Sequence, residues 1–118
     1  LMGTLAAGDV FVICNGSIAM PGLCDMTSGT INHNGDDAYE LICAGMVVDS
    51  FGRVGEDPGM AWEGGGLGTM DYRLTRDCST TTGDPNSGDA FDPSVEWDGE
   101  VWDVGTGFRG LGNRDECP

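Results

Sequence analysis

At 118 residues the chain is long enough for one domain with one modest core. Twenty acids against five arginines, one histidine and no lysine give a net charge of −15. That balance excludes nucleic acid and anionic membrane surfaces as partners, because affinity for either comes from basic side chains that release counterions. Divalent cations, cationic surfaces and neutral glycans stay open, beside the simpler reading that an acidic surface keeps a secreted protein soluble.

The predicted elements are short and separated by turn residues, as 21 glycines lead one to expect. Asp9–Cys14 is a β-branched and aromatic run that reads as a buried strand. Pro21-Gly22 breaks the loop that follows, and Ser28–Ile31 is a short strand leading into the Asn34-Gly35 turn. Ala38–Cys43 and Met46–Phe51, joined at Ala44-Gly45, form the clearest hairpin. Gly52–Gly68 is a long loop, and Tyr72–Thr75 is the last predicted strand. Everything beyond Cys78 reads as turns, apart from a helical turn starting at Pro93 with Asp92 as its cap. No repeat and no linker divides the chain, so 1–118 is read as a single domain.

Five cysteines form no C-x-x-C pair, which excludes the spacing of a zinc site and points to a disulfide-stapled extracellular domain. Cys14 and Cys24 flank one loop and suit a local bridge. Cys43 and Cys78 each end a strand and suit a staple across the sheet. Four cysteines admit three connectivities, so position alone leaves the pairing open. Cys117 is the odd one out, a free thiol or a link to another subunit. No signal peptide and no apolar run long enough to cross a bilayer is seen, so a secreted protein would be met here as a mature or truncated product. Asn15-Gly16-Ser17 is an N-glycosylation acceptor if the source is eukaryotic.

The order of these pieces resembles the bacterial and algal branch of the lamin-tail domain. The matching residues run from Leu5–Val12 through Asn34–Leu41, Val48-Asp49, Phe51-Gly52, Asp57–Gly59 and Trp62. They continue through Leu74–Arg76, Phe91–Ser94 and Glu96-Trp97 to Gly110–Gly112. The resemblance implies an all-β, immunoglobulin-like β-sandwich with long Gly/Asp-rich loops. It implies a module that accompanies secreted nucleases, phosphatases and adhesins without chemistry of its own. The family's opening strands have no counterpart here, and a sandwich lacking them leaves a sheet edge and an apolar face open. Either those strands were lost by processing or lie outside this chain, or a neighbouring subunit supplies them; strand addition between subunits would make a homo-oligomer or filament.

Asp84, Asn86, Asp89 and Asp92 are the candidate calcium ligands, since hard cations take oxygens from alternating positions. The order of Gly88 and Asp89 and the valine at position 95 break the EF-hand pattern, and an Asx-rich turn is the favoured alternative. Asn32, Asn34, Asp36 and Asp37 are a second candidate set, with a hairpin turn as the competing reading. Gly105–Gly110 matches G-x-G-x-x-G but has no room for the following helix, so it is coincidental. His33 lacks a serine or cysteine at a recognisable spacing. Trp62, Phe91, Trp97, Trp102 and Phe108 suit either a sugar-binding platform or, more simply, core anchoring. The expectation is a non-catalytic extracellular structural or adhesive module; the alternative is an accessory domain of a secreted hydrolase such as a nuclease.

Overall fold

The computed structural model describes residues 1, 4–18, 20–105 and 107–113. Among them regular structure is nearly all strand, with one α-helix of four residues and a single 3-10 turn at Pro21–Leu23. The chain gathers into two compact units, Leu1–Asn32 with Phe108–Pro118, and His33–Gly107.

In the first unit β1 (Ile13–Asn15) and β2 (Met26–Ser28) pair in parallel, Ile13 opposite Met26. The strand expected over Asp9–Cys14 is shorter and displaced towards the C-terminus. The cause is Asp25, whose side chain takes the Val12 N–H at 2.7 Å. The Val12 carbonyl in turn accepts from the Asp25 and Met26 amides at 2.9 and 3.1 Å. A ladder whose donors are claimed by a side chain stops there. The strand expected over Ser28–Ile31 likewise lies earlier, as β2. Two three-residue strands are marginal alone, and the Cys14–Cys24 disulfide closes the loop between them. Cys14 and Val12 are the buried pair of this unit.

In the second unit β3 (Tyr39–Cys43) and β4 (Met46–Phe51) form the expected antiparallel hairpin. Ala44 and Gly45 turn the chain with φ of 50° and 79°, the positive pair that matches the twist of the strands it joins. A bulge between Leu41 and Ile42 shifts the register half-way along. The stretch Gly52–Gly68, expected as loop throughout, closes on a two-residue ladder of β5 (Glu63–Gly64) with β6 (Leu67–Gly68).

β7 (Tyr72–Arg76) pairs with β8 (Trp97–Val101), a strand in the region expected to hold only turns. Its polar, glycine-containing sequence hid it, and the register supplies the reason. Gly99 lies opposite Leu74, and a Cβ there would come within 2.6 Å of the Leu74 side chain. The helical turn α1 (Pro93–Glu96) forms as expected, with Asp92 accepting from the Ser94 amide at 2.8 Å.

Among the described residues each sheet is a pair of strands only. Aromatic rings anchor the second unit. Phe51 lies 4.8 Å from Phe91 and 5.2 Å from Trp97, and Trp62 lies 5.8 Å from Phe91. Trp62 is buried, so it serves packing and offers no face to a sugar, whereas Trp102 is exposed.

The cysteine pairing differs from expectation at one point. Cys78 is disulfide-bonded, but Cys43 is an exposed free thiol, so no staple joins the two. Cys43 closes β3 beside the hairpin turn, opposite Met46, which is itself exposed. Cys117 lies outside the described residues.

Candidate functional site

A cleft of about 340 Å³ opens in the second unit, lined by His33, Gly35, Asp37, Tyr39, Phe51, Thr69, Tyr72, Leu74 and Trp97. These residues come from four distant places in the sequence, some on strands and some on the turns between them. Tyr39 and Phe51 are opposite partners on β3 and β4. Tyr72 and Leu74 are two apart on β7 and therefore share a face. Trp97 begins β8, opposite Arg76.

The rim at 33–37 is fixed by backbone contacts. The Asn34 amide donates to Asp37 Oδ2 at 2.9 Å, and Trp62 Nε1 donates to the Asp37 carbonyl at 3.0 Å. The Thr69 hydroxyl donates to the Gly35 carbonyl. Gly35 has φ of 124°, and a Cβ there would stand 2.6 Å from that of Met70, so only glycine fits. His33 Nδ1 and the Tyr39 hydroxyl share a hydrogen bond of 3.0 Å, their rings edge to face. Burial, and secondarily the Asp37 carboxylate, pushes the Tyr39 phenol above its ordinary value, so it stays neutral in its hydrogen bond with His33.

Behind the cleft, Arg76 joins the β3–β4 pair to the β7–β8 pair. Its guanidinium donates to Asp49 Oδ2 at 2.6 Å and to Glu96 Oε2 at 3.2 Å, and lies 4.8 Å from the centre of the Trp97 ring. Asp49 Oδ1 accepts from the amides of Asp84 and Ser50 at 2.8 and 2.9 Å. Burial pushes the Asp49 carboxyl up, but the Arg76 guanidinium and the two amides outweigh it and hold the group below the usual aspartate value. Hydrogen bonding to Asp49 raises Arg76 in turn, against the opposing effect of burial.

Asp84 Oδ1 accepts from the Asn86 amide at 2.9 Å, Asn86 Oδ1 from the Gly88 amide at 3.4 Å, and Asp92 Oδ1 from Ser94. These oxygens turn back on their own backbone, the Asx-turn arrangement. Hydrogen bonds from Ser94 hold the Asp92 carboxyl below its ordinary value. Asp89 is exposed and does not join them. Among the described residues no group of three or more His, Cys, Asp or Glu side chains is arranged to hold a metal ion.

In the second candidate set, Asn34 and Asp37 bond each other within the turn. His33 is partnered by Tyr39 and not by a serine or cysteine. Asn15 Nδ2, the atom a glycan would occupy, donates to the Ile31 carbonyl at 2.5 Å. Gly105 and Gly107 lie in turns, and no helix follows them among the described residues. No helix among those residues is long and apolar enough to cross a membrane.

Tyr39, Tyr72, Leu74 and the Asp49–Arg76–Glu96 network escaped the sequence reading. The alternation Tyr72, Leu74, Arg76 was the one local signal that they share a face. No protein-family model matches the chain, and no curated protein or solved structure matches it either.

Proposed function

We propose that the chain is a non-catalytic extracellular module of the lamin-tail type. In this reading it is an immunoglobulin-like β-sandwich that assembles into a fibre or surface layer by pairing strand edges with a neighbouring copy. The observation that carries the proposal is the state of the β3–β4 hairpin. Among the described residues it is a ladder two strands wide, and its tip exposes Leu41, Ile42 and Met46 at 50%, 58% and 68% of their surface. Unpaired edges bearing apolar side chains recruit further strands unless something blocks them, and charged residues at the tip are few: Glu40 and Asp49 flank it without interrupting it. The contacts Asp49–Arg76 and Phe51–Trp97 between the β3–β4 and β7–β8 pairs favour the sandwich reading. The Cys14–Cys24 bridge favours an oxidising compartment.

Sedimentation velocity in reductant, over a range of concentrations, tests the reading without interference from Cys43 crosslinks. The wild type should gain mass with concentration, and Ile42→Lys should remain monomeric with its fold intact. A wild type that stays monomeric at the highest concentration removes the assembly reading. A passive accessory domain of a secreted hydrolase would then stand in its place.

A further inference from the structure

We propose that the cleft between Tyr39, Phe51, Tyr72 and Trp97 captures an arginine side chain displayed on an extended basic peptide of a partner protein. Four aromatic rings and one carboxylate, Asp37, line a hollow whose volume falls within the range that holds a ligand group. Aromatic faces attract cations through their quadrupole, and guanidinium groups stack on them most readily. This protein already shows the pairing, since Arg76 lies over the Trp97 ring. Neither lysine nor arginine lines the cleft. The guanidinium over the Trp97 ring, that of Arg76, is bracketed by Asp49 and Glu96, which leaves that network with net negative charge.

Charge complementarity selects the occupant. With a net charge of −15 the whole molecule concentrates cations near its surface and repels anions. Asp37 belongs to the lining with one carboxylate oxygen on the Asn34 amide, and a guanidinium entering the cleft would form a charge-assisted bond with that carboxylate. The aliphatic stem of the arginine would lie along Leu74 and the ring faces, as such stems do on apolar surface. A neutral sugar would want several polar groups around the rings. Here the Thr69 hydroxyl is turned to Gly35 and the Tyr39 hydroxyl to His33.

Nuclear magnetic resonance titration with acetyl-Gly-Arg-Gly-amide, alongside the same peptide carrying citrulline and alongside maltose, tests the proposal on the wild-type chain. The arginine peptide should shift the Trp97 indole and Tyr72 ring signals saturably in the millimolar range. Citrulline has the same shape without the charge and should bind about tenfold more weakly or less, since a charge-assisted contact is lost. Asp37→Asn, which keeps the side-chain shape and the Asn34 contact, should weaken the arginine peptide by a similar factor. Equal binding of the two peptides, indifference to Asp37→Asn, absence of saturable shifts at the cleft, or saturation by maltose instead would each overturn the assignment.

Discussion

Replacing Arg76 by methionine removes a charge and its donors while keeping most of the stem, and the cost can be built up from its contacts. The Arg76 side chain is 12% exposed, Asp49 32% and Glu96 39%. A hydrogen bond between charged groups contributes about 2 kcal/mol when one partner is this well covered. The Glu96 contact, wetter and longer, is discounted to about 0.5 kcal/mol. The Trp97 contact adds about 0.5–1 kcal/mol. Together they give a loss of about 3 kcal/mol, a large part of the stability of a small domain, and a fall in melting temperature of about 10 °C. Urea and thermal unfolding followed by tryptophan fluorescence would read it, because Trp97 sits on the network. The loss also carries a pH signature. The folded Asp49 carboxyl is held below the unfolded value near 3.8. Its contribution is therefore complete above that value and is lost as pH falls through the folded one. The gap between wild type and Arg76→Met should narrow below about pH 4. A variant as stable as the wild type at neutral pH, or a gap that persists unchanged in acid, would refute the reasoning.

Two further outcomes follow from the same unit. Gly83 packs so closely on β4 that a Cβ would strike the Val48 carbonyl and stand 2.9 Å from that of Asp49. Gly83→Ala should therefore cost about 1–3 kcal/mol through overpacking, and unfolding no different from wild type would show that the contact yields easily. Calcium or a chelator should leave the melting temperature unchanged, because one side-chain oxygen each of Asp84, Asn86 and Asp92 is engaged by a nearby amide; a rise in melting temperature on adding calcium would show that those turns open to receive an ion.

What could be read in the sequence was whatever depended on neighbours along the chain. The β3–β4 hairpin was legible because alternation and a two-residue turn are both local, and α1 because Asp92, Pro93 and Ser94 carry the start signal within three positions. β8 was not legible, since Gly99 is explained by Leu74 and Leu67, 25 and 32 residues earlier in the chain. The shortened β1 was hidden for the same kind of reason: nothing before Asp25 announces that its carboxylate will claim the Val12 amide. The cleft needs Tyr39, Tyr72 and Trp97 at once, and no spacing links them. The run 84–92 read as a cation loop or, by preference, an Asx-rich turn, and Asp84, Asn86 and Asp92 form the hydrogen bonds of such turns.

The arginines and the acids together set the electrostatic terms on which any partner is met. Arg53 pairs with Glu56, Arg73 with Glu100, and Arg76 with Asp49 and Glu96. These three cations are committed within the second unit, while most of the acids are left facing water. Two copies approaching through their hairpins therefore repel one another at long range, and salt that shortens the Debye length to about 8–10 Å relieves the repulsion. An arginine entering the cleft is drawn by the same field, and salt weakens that attraction. Edge pairing should strengthen with ionic strength while peptide capture declines. Their opposite responses separate the two sites in one protein sample without any mutation. If both moved in the same direction with salt, the charge of the chain would not govern at least one of them, and that site would have to be re-argued from its apolar contacts alone.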